Sequence, residues 1–285
     1  LICSEQIDSK YLYFFLSGKT DFLNSLGRGA TFKEISKSIV EDIEIPLPKV
    51  DEQREIAVRF EKINHLTRLR IQQLAKLDEL VKARFVEMFG DLVVNPMGWE
   101  FRKLSSLCDV RDGTHDSPEY QSEGFPLLTS KNFSSGIIDF SNCNLISEED
   151  FEMINRRSKV DYGDIIMPMI GTIGHPVIVD TDRLFAIKNV ALIKFNREEI
   201  SNIFVKTVLD SDYFVNATIA NNRGGTQKFI ALGDIRKIPI PVVPKKCQNV
   251  FADFVGEVVR QKLTIQRSLD KLEVLKKSLM QQYFG

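Results

Sequence analysis

Apolar positions along residues 246–283 recur in alternating steps of four and three: Phe251, Val255, Val258, Ile265, Leu269, Leu272 and Leu279. Lys262 and Lys276 interrupt that rhythm. Residues 51–88 carry a matching pattern through Ile56, Phe60, Ile63, Leu74, Leu77 and Val81. Apolar steps of this kind put one stripe on one helix face, the pattern of a coiled-coil seam. Both stretches lack Pro, are almost free of Gly, and are rich in Leu, Lys, Glu, Gln and Arg, which favour helix. Each runs for about 38 residues, roughly 57 Å at 1.5 Å per residue. A stripe that long exceeds what a small domain can cover. The simplest partner for each helix is the other, packed antiparallel with the two copies related by a pseudo-twofold axis; the alternative is that each folds back on its own globular part.

The two helices belong to a longer repeat. Residues 28–90 laid over 223–285 without a gap are identical at 17 of 63 positions, among them Arg28/Arg223, Gln53/Gln248, Leu77/Leu272 and Phe89/Phe284. Each copy opens on a Gly-containing phrase, RGATFKEI or RGGTQKFI, and passes through a Pro-punctuated piece, IEIPLPKV or IPIPVVPKK. Prolines so spaced suit an edge strand or linker.

Between the copies the period shortens. FPLLTSKNF, GIIDFSN, YGDIIMPMI and HPVIVDT are apolar or β-branched runs bounded by turn residues, and predict strands. A short strand is also expected around Trp99–Leu104. SEEDFEMINRR, with Ser147 ahead of Asp150, predicts a capped helix, and residues 202–220 predict another. The fold class is therefore α+β: a sheet-rich domain joined by two long helices packed as an antiparallel coiled coil. Residues 1–50 resemble only the last third of the sheet-rich unit. The expected divisions are a domain remnant over 1–50, a helix over 51–90, a complete domain over 91–245 and a second helix over 246–285.

Composition changes this picture little. Apolar content of 43% and charged content of 27% are ordinary for a globular chain, and the net charge is −1. The charge is unevenly spread: 12 basic against 20 acidic residues over 91–222, and 12 against 5 over 223–285. Local patches, not global charge, would have to attract a polyanion. Cys3, Cys108, Cys143 and Cys247 are scattered, as are His65, His115 and His175, so neither a disulfide framework nor a metal site is expected. No secretory signal or apolar run of membrane-spanning length occurs, and a cytoplasmic location is expected. The chain begins at Leu1, which suggests that its first residues are missing.

Catalytic motifs fail on inspection. SGKT at 17–20 has Tyr13 where a phosphate-binding loop needs Gly. NPMG at 95–98 lacks the second Pro and the aromatic of an adenine-methyltransferase tetrapeptide, and GTIG at 171–174 lacks a dinucleotide fingerprint's third Gly. Recognition chemistry remains, in loops supplied with Arg, Lys, Asn, Gln, Thr and His. The candidate contacts to DNA are Thr114, His115, Lys131, Asn132, Arg156, Arg157, Lys159, Thr172, Lys188, Asn189, Arg223, Thr226, Gln227 and Lys228. Arg and Lys suit guanine edges and phosphates, Asn and Gln suit adenine, and Thr suits phosphate or a thymine methyl. Taken singly each also fits a solvated turn. Asp112-Gly113 is a turn signal, and Arg156 and Arg157 would offset Glu148, Glu149, Asp150 and Glu152.

Together, DGTHDSPEY, YGDIIMPMIGTIGHPVIVD, RGGTQKFIALGDIRKIPIPVVP, LVKARFVEMFGD and IPLPKVDEQREI resemble the specificity subunit of type I restriction–modification systems. The second copy departs from the pattern, with Lys246-Cys247-Gln248 opposite Asp51-Glu52-Gln53. The resemblance implies a non-catalytic subunit whose target-recognition domains each read half of a split sequence in double-stranded DNA, held apart by paired helices. It implies methyltransferase partner subunits that use S-adenosylmethionine and a restriction subunit that uses ATP and Mg, with no cofactor in this chain. The first recognition domain would be truncated, which leaves two outcomes: the chain reads only the half-site assigned to 91–245, or it pairs with a second copy as a homodimer. The competing reading is a coiled-coil scaffold or binding module that recognises protein rather than DNA.

Overall fold

The two apolar seams fold as continuous helices of 40 residues each. In the computed structural model, which describes residues 3–27, 34–133, 136–170, 175–195, 199–214 and 230–285, the chain runs in the following order. Helices α1 (Ser9–Gly18), α2 (Thr20–Leu26) and α3 (Lys37–Glu41) lead into α4 (Val50–Phe89). Then come β1 (Phe101–Lys103), α5 (Leu104–Leu107), β2 (Asp109–Asp112), β3 (Phe125–Leu128), β4 (Asn144–Ile146) and α6 (Glu148–Ser158). Strands β5 (Ile165–Pro168), β6 (Val177–Ile178), β7 (Ala186–Ile187) and β8 (Val190–Lys194) precede α7 (Asn202–Leu209) and α8 (Leu232–Lys237). Strand β9 (Pro239–Pro241) and α9 (Lys245–Phe284) end the chain. Two compact units result, one of residues 1–80 with 258–285 and one of 81–257; the division falls within both α4 and α9.

The long helices pack together antiparallel. In the first unit, Phe60 near the start of α4 stacks on Phe284 at the end of α9, and Lys262 forms a 2.7 Å ion pair with Asp78. Lys262 thus interrupts the apolar seam without being an unmatched charge. In the second unit, Phe85 and Phe89 near the end of α4 meet Phe251 near the start of α9. Ile56, Phe60, Ile63, Phe251 and Val258 are buried, and Leu74, Leu77, Val81, Val255, Ile265, Leu269, Leu272 and Leu279 are half-buried. A pair of helices covers only one stripe on each, and Leu66, Leu69, Ile71, Leu263 and Val274 stay exposed.

The first unit's core is aromatic: Tyr11, Phe14 and Phe15 from α1 pack on Ile56, Ala57, Phe60 and Phe284. The Asp8 side chain caps α1 by accepting from the backbone N–H of Lys10 and Tyr11. Gln53 fixes α1 to α4. Buried completely, it accepts from the Asp8 N–H at 2.8 Å and donates to the carbonyls of Gln6 and Pro48. Gln248, its counterpart in the repeat, does the same in the second unit. It accepts from the Ser201 N–H at 2.8 Å, ahead of α7, and donates to Glu199 and Val243.

The second unit, the sheet-rich domain of the sequence, holds three small sheets among the described residues. Their orders are β1-β9, β2-β8-β5-β6 and β4-β3-β7. The four-stranded sheet is antiparallel throughout, whereas β3 and β7 pair parallel. β5 and β8 are buried on both faces, which explains their unbroken apolar runs. Alternation along the strand divides them between two cores. Ile165, Met167, Ala191 and Ile193 join the aromatic core shared with Phe85, Phe89 and Phe204, while Ile166, Val190 and Leu192 join Leu128, Phe133 and Val177 on the other face.

Several elements differ from expectation. Residues 136–142 form no strand, since that run folds as bends and turns. The helix expected over 202–220 is interrupted after Leu209, where the Asp210 N–H bonds back to the Lys206 carbonyl; residues 212–214 are helical again, and residues 215–220 lie outside the described residues. The Pro-punctuated piece forms β9 in the second copy but no strand in the first. Most of both repeated Gly phrases, residues 28–33 and 223–229, lies outside the described residues.

Candidate nucleic-acid interface

The chain passes from the three-stranded to the four-stranded sheet through two residues, Lys188 and Asn189, between β7 and β8. Asn189 adopts φ of 55°, a left-handed conformation that Asn tolerates better than most residues. The loop after β2 lies against this crossing. Thr114 bridges Lys188 in parallel register; its N–H bonds the Ile187 carbonyl at 3.0 Å, and its carbonyl accepts from Asn189 at 3.0 Å. Gly113 is required by the same approach, because a Cβ there would sit 2.2 Å from the Ile187 carbonyl oxygen. Thr114, His115, Lys188 and Asn189 are therefore neighbours, although His115 and Asn189 stand 74 positions apart in sequence.

Asp112 sits beneath them. Its carboxylate is buried, lies 2.9 Å from His115 Nε2, and accepts from the Arg157 guanidinium at the end of α6. The other ring nitrogen of His115 lies 2.8 Å from Asn189 Oδ1. Arg111 continues the network, donating to Asp109 at 2.8 Å and to the carbonyl of Arg157 at 2.9 Å. Burial disfavours the Asp112 charge, but hydrogen bonds and charge from His115 and Arg157 outweigh it and hold the carboxyl below its ordinary pKa. The His115 pKa is raised, first by the contact to Asn189 and then by Asp112, against the opposing effects of burial and Arg157.

Other candidate residues are placed differently. Arg156 is exposed at the end of α6, and Lys131 is exposed on the short turn Ser130–Asn132. Lys159 is exposed and ion-paired with Asp161 at 2.9 Å. Asn132 is a correction. It is buried, its Oδ1 accepts from the Thr129 N–H at 2.9 Å, and its amide donates to the Asp139 carbonyl, so it shapes the turn and shows no amide edge to a base. Arg157 turns to Asp112 and not to the acidic first turn of its own helix. Thr172, Arg223, Thr226, Gln227 and Lys228 lie outside the described residues. Asp112 itself is marked by sequence only as a turn residue; the signal available was its spacing of three from His115, which is shared by many turns.

Among the described residues, no group of three or more His, Cys, Asp and Glu is placed to hold a metal, and no helix is long and apolar enough to cross a membrane.

Comparison with known proteins bears on the family and the fold. The family model of the type I restriction modification DNA specificity domain matches residues 1–79 and 96–275. The chain is 24% identical over 295 residues to the type I restriction enzyme MjaVIII specificity subunit of Methanocaldococcus jannaschii, covering 96% of this chain and 69% of that one. It is 21% identical to the EcoBI specificity subunit of Escherichia coli, covering 98% of this chain and 66% of the relative. In fold it resembles the S subunit of a type I restriction-modification system from M. genitalium, with a TM-score of 0.64, 16% identity, and coverage of 98% of this chain and 73% of that one.

Proposed function

The chain belongs to the family of type I restriction modification DNA specificity domains, and from that premise we propose that residues 91–245 read one half-site of a bipartite target in double-stranded DNA. The observation that carries the reading is the gathering of Thr114, His115, Arg157, Lys188 and Asn189 at the crossing between two sheets. Loops held by a rigid scaffold are where recognition residues belong. In this reading the paired helices α4 and α9 dock methyltransferase subunits, and a restriction subunit joins them. The chain itself is non-catalytic and takes no cofactor; S-adenosylmethionine belongs to the methyltransferase, and ATP and Mg to the restriction subunit. The complex works in the cytoplasm, on the cell's own DNA. Where a second half-site is read by a second copy of the chain, light scattering on the DNA complex is expected to count two copies.

The test is a domain exchange. Residues 91–245 are replaced by the corresponding segment of another member of the family, the chain is expressed with its methyltransferase, and genomic methylated adenines are mapped. The expected result is that the half-site read by this segment changes while the gap stays the same: one half of the methylated motif changes where a single copy reads it, and both halves change where two copies do. A motif unchanged by the exchange refutes the assignment. Binding to a protein partner with no salt-sensitive duplex binding would favour the scaffold reading instead.

A further inference from the structure

The run Asp112-Gly113-Thr114-His115 places a buried anion under two exposed cations. The Asp112 side chain is 9% exposed, whereas those of His115 and Arg157 are 59% and 67% exposed. We propose that Asp112 is a positioning residue that holds His115 as an imidazolium beside the Arg157 guanidinium, so that the two cations together receive one backbone phosphate of the duplex. The inference rests on the reading of residues 91–245 as a DNA reader.

Both ring nitrogens of His115 face an acceptor, Asp112 Oδ2 at 2.9 Å and Asn189 Oδ1 at 2.8 Å. A neutral imidazole carries a single N–H; only the charged ring donates to both. With both N–H groups so engaged, the ring has no donor left to read a base edge, and what it offers a duplex is charge. Arg157 commits one terminal nitrogen to Asp112 and keeps further donors on its exposed side. One carboxylate against two cations leaves a local charge of +1, suited to a phosphodiester and indifferent to sequence. The other charged groups around the ring do not change this sign. Arg157 faces it from α6; Lys188, in the β7–β8 crossing, directs its ammonium to Ser117; Asp116 follows His115 in the loop; and Arg111 in β2 is paired with Asp109. The upward direction of the His115 pKa agrees with a ring held in its charged form.

Two measurements on the full chain test this. The His115 ring is titrated by NMR, and affinity for a mixed-sequence duplex is measured over a salt series at pH 6 and pH 9. The ring is expected to titrate above the ordinary histidine value of about 6.5. Because deprotonation takes the local charge from +1 to zero, one fewer phosphate charge is neutralised, and the slope of log affinity against log salt should be shallower at pH 9 by about 0.9. His115→Gln should abolish that difference. Asp112→Asn should lower the ring's pKa and move the pH midpoint of binding with it, and Arg157→Gln, on the exposed surface, should raise the ring's pKa further. A ring titrating at about 6.5 or below, as for a neutral imidazole accepting from a turned Asn189 amide, overturns the proposal while leaving DNA reading intact wherever the duplex still binds. A His115→Gln chain that keeps the wild-type pH dependence overturns the phosphate contact. A raised ring pKa with no duplex binding at either pH refutes the DNA reading, and this inference with it.

Discussion

At the residue scale, the two copies of the repeat keep a hydrogen-bonding clasp more faithfully than their surroundings. Gln53 and Gln248 occupy equivalent positions in sequence, and each is buried within the first turns of a long helix. Each accepts from the backbone just ahead of a short apolar helix and donates to two carbonyls. An extended backbone N–H and two carbonyls would otherwise be enclosed without partners. Replacing Gln248 by Ala removes both ends of the clasp at once, and each buried group left unsatisfied costs about 1–3 kcal/mol. The expected outcome is a lowered urea midpoint for the second unit and faster amide exchange at the start of α7. Glu at the same position should be as harmful as Ala, because it supplies the acceptor but not the donor. An unchanged midpoint in Gln248→Ala would mean that water replaces the side chain.

At the scale of elements, energy is concentrated where rings meet and is sparse where charges meet. Phe251 is fully buried against Phe85 and Phe89, so Phe251→Ala is expected to cost about 3–5 kcal/mol. Lys262 and Asp78 form a pair with substantial exposure on both sides, so Lys262→Ala is expected to change stability by less than about 1 kcal/mol. Denaturant titration of the two variants separates these values clearly. The same contrast explains which elements are legible in sequence. Helices α4 and α9 are evident from Phe60, Leu77, Phe251 and Leu272, because a 4-3 rhythm kept over tens of residues has one structural meaning. Strand runs are less specific. Ile165–Pro168 and Val190–Lys194 are apolar throughout because they divide their side chains between two cores, and nothing in those runs names a partner strand. GIIDFSN resembles a strand equally well, yet only Ile138 and Phe140 of it pack against a core. The site is legible as residue types in loops, and the structure brings five of those residues together, Thr114, His115, Arg157, Lys188 and Asn189. Asp112 and Arg157 are 45 positions apart, and only the folded chain shows which carboxylate Arg157 serves.

At the scale of the whole molecule, the paired helices suggest a ruler. Each has 40 residues, about 60 Å at 1.5 Å per residue. Two readers carried on such a strut meet the duplex at a separation on the order of one helical turn, ~34–36 Å. If α4 and α9 set that separation, removing one heptad from each shortens the strut by about 10.5 Å, close to three base pairs at about 3.4 Å each. The deletion must be matched in both helices, since the seams face one another and a one-sided change would slide Phe60 off Phe284 or Phe89 off Phe251. A whole heptad also keeps the apolar stripe in phase, so Ile63 and Leu74 in α4 and Ile265 and Leu269 in α9 stay on the seam. Methylation mapping of the paired deletion should return the same half-site bases with a shorter gap between them. A one-residue deletion in each helix turns the stripe by about 100° and should abolish modification altogether, which separates a ruler from a tether. An unchanged gap after the heptad deletion would mean that spacing is set by the partner subunits and that the helix pair serves only to hold them.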